Sequence, residues 1–344
     1  NIKTLLTAGN DTNQFTGSSF ANLTSVSVFN ATEYLENNAD LKDAFGSDLE
    51  AATSHYVSTG RSEGRTDGTK DVSDLNEVIA SANTATSGTS TVLELSLSAT
   101  INSGNETEFN TLLTHEANGQ INITSQNLNV DSGTISVSTA NALDATTVGQ
   151  VTASIATDST VDDLATLTGS NAYTIVIAAA DATGSTASEL TLIDNATTVV
   201  VDATAVTELT GSNSEINTLY GSGGLDGLGD ENIIINNELT VAEANEIDLL
   251  TTGLISASIL TSETVSTLKT LTGNNAYSIT IGSSDATVKA SDLNTINNLT
   301  TALVDASLVK AIDSDTLANI KTLLTAGNDT NQFTGSSFAN LTSV

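Results

Sequence analysis

Two histidines, His55 and His115, are the side chains of this sequence best suited to proton transfer near neutral pH. His55 stands between Ser54 and Tyr56 in a helical stretch, which reads as a packed, hydrogen-bonded ring rather than a base. His115 has Glu116 beside it, but adjacent residues on a helix do not face one another, so the two form no dyad. A solvated helix end is the reading for His115. The segment GSGGLDGLGDEN (221–232) gathers Asp226, Asp230 and Glu231 in a glycine-rich turn, and hard carboxylate oxygens are what calcium prefers. Its spacing matches neither the calcium nonapeptide nor the EF-hand loop. A plain turn is therefore the first reading and calcium the functional alternative. Its glycines precede the strand-like run IIIN instead of opening a helix, which excludes a dinucleotide fingerprint. Nucleophile elbow, phosphate loop and metalloprotease helix are all absent from the sequence.

The composition narrows the chemistry further. The 344 residues include 41 acidic and 9 basic side chains, a formal net charge of −32, and no Pro, Cys, Met or Trp. Without Cys there is no thiolate nucleophile and no cysteine-based zinc site. A nucleic-acid partner is excluded by charge, because such binding neutralises phosphates with Lys and Arg. No run reaches the roughly 18 apolar residues of a membrane span, while 38% hydrophobic residues are enough for a continuous core. From Asp71 to Leu268 there is neither Lys nor Arg, so self-repulsion there must be reduced by salt or divalent ions, among which calcium is a candidate cofactor. Lys42, Arg61, Arg65 and Lys70 cluster in one short region. They read either as a contact for the acidic surface of another chain or as a solvated basic face. Asn-x-Ser/Thr triplets at Asn10, Asn22, Asn30, Asn105, Asn122, Asn195 and Asn298 are mostly what an Asn- and Thr-rich chain supplies by chance.

Repeats dictate the architecture that would position these groups. Residues 1–26, NIKTLLTAGNDTNQFTGSSFANLTSV, recur unchanged as residues 319–344, an offset of 318. Fold pressure preserves apolar pattern but not surface residues, so identity over 26 positions reports recent duplication. The sequence starts at Asn1 rather than Met and is expected to be a processed piece or window, one 318-residue period plus an overlap. An older repeat relates LATLTGSNAYTIVIAAADAT (164–183) to LKTLTGNNAYSITIGSSDAT (268–287), and TTVVVDAT (197–204) to TTALVDAS (300–307), with TTGLISAS (251–258) as a further relative.

Short β-rich runs fall at 91–99, 120–124, 150–155, 172–177, 198–202, 232–236, 254–258, 276–281 and 302–305. Helical spacing with Ser or Thr at the start and Gly at the end lies between several of them. In 158–169 it aligns Val161, Leu164 and Leu167, and in 240–253 it aligns Val241, Ala244, Ile247 and Leu250. Segments 262–273 and 314–327 repeat the formula. Strand, helix, strand at this spacing predicts a parallel sheet with helical crossovers. The expected fold is an α/β, leucine-rich-repeat-like solenoid, with a right-handed parallel β-helix as the alternative. Residues 1–30 and 71–344 form the solenoid repeats and residues 31–70 a helical insert.

The insert breaks the pattern. YLENNADLKDAFGSDLEAATSHYVSTGRSEGR (34–65) predicts two short helices broken at Gly46, with Tyr34, Leu35, Leu41, Phe45, Leu49, Ala52, His55 and Tyr56 at apolar positions. It closely resembles a helical motif of secreted, surface-attached, calcium-associated bacterial proteins. Ala39 stands where that motif usually has Pro, which loosens the start of the first helix without altering its apolar face. The rest of the chain resembles, in composition and repeats, the giant acidic Thr-rich tandem-repeat proteins of marine cyanobacterial cell surfaces, including the swimming-associated type. That resemblance implies secretion without disulfides, an extracellular cell-surface location and a mechanical role, with no catalytic residue to carry over.

The expected function is structural: a tandem-repeat unit of a secreted extracellular filament or surface layer. Its partner would be itself, as covalent tandem repeats or a head-to-tail homopolymer. The stalk of a large bacterial adhesin is the alternative. A polysaccharide-cleaving β-helix enzyme would need a carboxylate cluster with a basic partner, which the Lys/Arg-free middle opposes.

Overall fold

The computed structural model describes residues 100–179 and 183–327, with residues 31, 34–35, 38–60, 75, 79, 93–94, 332–334, 337–338 and 342–343. The chain divides into two compact units, Asn1–Val72 with Glu94–Ala99, and Ser73–Leu93 with Thr100–Val344. Residues 1–30 lie outside the described residues.

In the first unit, helices α1 (Ala39–Phe45) and α2 (Leu49–His55) are separated by Gly46, whose φ of 60° is open to glycine at little cost. Asp48 caps α2 by accepting the N–H groups of Glu50 and Ala51. Tyr34, Leu35, Leu41 and Ala52 are buried together, with Ala31, Phe45 and Tyr56 packed against them. Leu49, expected among the apolar positions, is 45% exposed. It opens α2, where no preceding helical turn covers it.

The second unit alternates strands and helices. In order these are β1 (Thr100–Gly104), α3 (Glu106–Ala117), β2 (Ile121–Asn122), β3 (Asn127–Val130), α4 (Val137–Thr146), β4 (Val151–Ser154), α5 (Val161–Leu164) and β5 (Ala172–Thr174). Next come β6 (Ser185–Thr186), α6 (Ala187–Asn195), β7 (Val201–Asp202), β8 (Glu208–Gly211), α7 (Asn213–Ser222), β9 (Leu225–Asp226), β10 (Asn232–Leu239) and α8 (Val241–Ile247). The last are β11 (Ile255–Ile259), α9 (Val265–Leu268), β12 (Ala276–Thr280), β13 (Thr287–Lys289), α10 (Ala290–Asn297), β14 (Val304–Asp305), β15 (Ala311–Asp313) and α11 (Leu317–Gly327).

Sheets follow chain order: β1-β3-β4-β5, then β6-β8-β10-β11-β12-β14, with β7-β9 and β13-β15 as separate pairs. The strand pairings are parallel. Thr152 pairs with Ala172, Leu209 with Ile233, and Thr100 with Asn127, so partners lie 20, 24 and 27 residues apart. The chain is therefore an α/β protein with parallel sheets and helical crossovers, as the spacing predicts.

Helix starts are fixed by the residues the sequence supplies. Asn105 with Glu108, Thr186 with Glu189, Ser212 with Glu215 and Thr240 with Glu243 form reciprocal capping boxes. Strand alternation then selects the core: Ile255, Ala257 and Ile259 point inward while Ser256 and Ser258 are more exposed. The helices at 161 and 265 are only four residues long, shorter than their apolar spacing suggests. β-Branched Thr166 and Thr168, followed by Gly169 at φ 74°, turn the chain early while still burying Leu167. Among the described residues no helix is long and apolar enough to cross a membrane.

Candidate functional site

The buried polar side chains of the second unit are concentrated between neighbouring parallel strands. Thr147, Thr197, Thr251 and Thr300 are each less than 9% exposed. Their hydroxyls donate to the carbonyls of Gln126 (2.6 Å), Tyr173 (2.6 Å), Glu231 (2.7 Å) and Tyr277 (2.7 Å), residues 20 to 24 positions earlier. The same oxygens accept the N–H groups of Gly149, Val199, Gly253 and Ala302, two residues further on. One hydroxyl thus satisfies two backbone groups that would otherwise be buried without partners. At Gly149 and Gly253 the chains approach so closely that a Cβ would stand 2.2 Å from the carbonyl oxygen of Gln126 or Glu231, which explains glycine there.

A second set of contacts uses asparagine. The Asn171 amide donates to Asp144 Oδ1 (2.8 Å) and its oxygen accepts the Val151 N–H (2.9 Å). Asn275 repeats this with Asp248 (2.7 Å) and Ile255 (3.0 Å). Beside them the Tyr173 hydroxyl donates to the Ala140 carbonyl and the Tyr277 hydroxyl to the Ala244 carbonyl. Burial, helped by the Asp144 carboxylate, pushes the Tyr173 phenol well above its ordinary range, and burial pushes Tyr277 up to about 12, so both remain donors. Asn141 and Asn245 complete the set, each donating to one threonine carbonyl (Thr166, Thr270) and accepting one threonine N–H (Thr168, Thr272).

The asparagine and tyrosine contacts of Asn141, Asn171 and Tyr173 recur 104 residues on at Asn245, Asn275 and Tyr277. The sequence carries the signal over 141–177 and 245–281, further upstream than the stretch beginning at 164 and 268. Thr147 is a fourth member of the threonine set: TVGQVTAS (147–154) keeps the spacing of TTGLISAS. Divergence at Val148 and Gln150 hides it.

A carboxylate set lies at the helix starts. Glu106 accepts the Ser136 hydroxyl (2.7 Å) and N–H (2.9 Å) and the Thr139 hydroxyl (2.7 Å), and these bonds hold its pKa below the ordinary value. Ser212 does the same for Glu215 and Thr240 for Glu243, and in the turn after β7 Thr204 does so for Asp202.

Comparison with protein-family models, curated proteins and solved structures finds no match.

The remaining candidates separate. Asp226 is exposed on β9, where it pairs in register with Asp202 of β7. Asp230 is exposed, whereas Glu231 is 1% exposed and folds its Oε2 back onto the N–H groups of Gly229 (2.7 Å) and Asp230 (3.1 Å). Among the described residues no three His, Asp or Glu side chains are grouped to hold a metal ion. Lys42 is exposed on α1, while Arg61, Arg65 and Lys70 lie outside the described residues. The His55 Nδ1 is 2.9 Å from the Tyr34 hydroxyl, with the Phe45 ring 5.6 Å away, so this imidazole is packed and hydrogen-bonded. His115 corrects the expectation of a solvated helix end. It is 8% exposed, with Nδ1 2.8 Å from Gln120 Oε1, because positions 109, 112 and 115 form the buried stripe of α3.

Proposed function

We propose that this chain is a structural protein, the repeating unit of a secreted extracellular filament or cell-surface layer, in which parallel strands stack as an α/β solenoid. The duplicated ladder carries this reading: its buried Thr, Asn and Tyr side chains tie each strand to the strand or helix that precedes it. Strands that pair in chain order support a stack that grows with every added repeat, by about 4.8 Å per strand. The unchanged recurrence of residues 1–26 at 319–344 supports tandem repetition. The reading assigns no catalytic step, and cations, calcium foremost, would offset the charge of the stretch lacking Lys and Arg.

The direct test is the mass of the native polypeptide after full denaturation. A mass many times 35.1 kDa supports a covalent array. A mass near 35.1 kDa, with no self-association of the intact chain, would remove the filament reading.

A further inference from the structure

The chain contains the segment NIKTLLTAGNDTNQFTGSSFANLTSV twice, and the structure describes how one copy docks. Val304 of β14 donates its N–H to the Gln332 carbonyl and accepts the Thr334 N–H, both at 3.1 Å, in a parallel bridge centred on Phe333. Ile312 of β15 donates to the Ser343 carbonyl and the Thr342 N–H donates to Lys310. Between these bridges the Ser337 hydroxyl accepts the Ala306 N–H, and from α10 the Asn297 amide reaches Gln332 Oε1 at 2.8 Å. Phe333 is 1% exposed and its ring stands 5.1 Å from Phe338. The described residues of this copy, 332–334, 337–338 and 342–343, thus occupy a seat made by α10, β14 and β15.

Every residue that docks has an identical counterpart: Gln14, Phe15, Thr16, Ser19, Phe20, Thr24 and Ser25 repeat Gln332, Phe333, Thr334, Ser337, Phe338, Thr342 and Ser343. Two segments therefore carry the chemistry for one seat. We propose that residues 1–26 of a second copy take this seat in place of 319–344, linking copies head to tail. The occupant is specified by the same edge hydrogen bonds and the same aromatic anchor, so it requires no conformation beyond the one already described. The resident segment is favoured within one chain by its covalent tether and by Asp315, which accepts the Ser291 N–H at 2.7 Å. Exchange is therefore best read after the resident anchor is weakened. This contact gives a partner to the self-association in the function proposed above, yet it can fail by itself.

The test uses the full chain, which has no native cysteine. Ala311→Cys and Ser25→Cys are introduced together with Phe333→Ala, and the protein is oxidised and run under denaturing, non-reducing conditions. The structure predicts species at two and more times 35.1 kDa, lost when Phe15→Ala is added. Cross-linking no greater than with the Ala311→Cys change alone, a bond closed within one chain, or cross-linking indifferent to Phe15→Ala would each overturn the proposal. Phe333→Leu serves where circular dichroism shows that Phe333→Ala does not fold. A native polypeptide mass far above 35.1 kDa with no such cross-link would retain the tandem array and remove this contact.

Discussion

Thr251 shows what the ladder contributes at the scale of one residue. Its hydroxyl meets both the Glu231 carbonyl and the Gly253 N–H, so Thr251→Val keeps the shape but strands two buried backbone groups. We expect a loss of about 1–3 kcal/mol in chemical denaturation, with a similar loss for Thr147→Val. Asn275→Leu should cost at least as much, since it also leaves the Asp248 carboxylate without its amide partner. Acid should act through the capping carboxylates. Glu106 has a folded pKa below its ordinary value of 4.5, so its stabilisation is complete above that value and is lost as pH falls through the folded one. Wild type should therefore lose melting temperature more steeply than Glu106→Gln between pH 5 and 3, about the range that glutamate titration spans. Parallel curves would remove this role. These partnerships were only partly legible in the sequence: composition showed many Thr and Asn, but which of them are buried depends on strands 20 or more residues away.

Among the elements, legibility followed apolar content. Runs such as NIIIN and AYSITI were visible because their inward positions are large and alternate, and they appear as β10 and β12. Strands β1, β3, β6, β8, β9, β13 and β15 were not anticipated. Each has only two to five residues, with at most two apolar side chains among Gly and polar residues, too little to display a period of two. Helix starts were legible at Thr240 because Glu243 stands three residues on, and the structure forms that box. Thr240→Ala should cost about 1 kcal/mol in thermal or urea denaturation, with the effect centred on hydrogen exchange in α8. The four-residue helices α5 and α9 were overestimated because apolar spacing continues through Leu167 and Leu271 after the helical hydrogen bonds stop. His115 was misplaced for the opposite reason: a polar ring at the end of α3 falls on the stripe of Phe109 and Leu112 and is buried with it.

For the whole molecule, the net charge of −32 predicts that ionic strength stabilises the fold. Melting temperature should rise from 10 mM to 500 mM sodium chloride, and a fall would show that specific ion pairs outweigh repulsion. A chelator should lower it further if calcium is bound, whereas no change would remove calcium from the account. The parallel α/β organisation was legible from the recurrence of strand and helix signals, while the placement of Phe333 on β14 and Ser343 on β15 depends on contacts the sequence pattern does not reveal. The central claim is that repeats stack end to end into an extended structural array. Its most direct test is electron microscopy of single polypeptides carrying one, two and three 318-residue periods. Equal increments in particle length for each added period are predicted; particles that thicken without lengthening in proportion would contradict it.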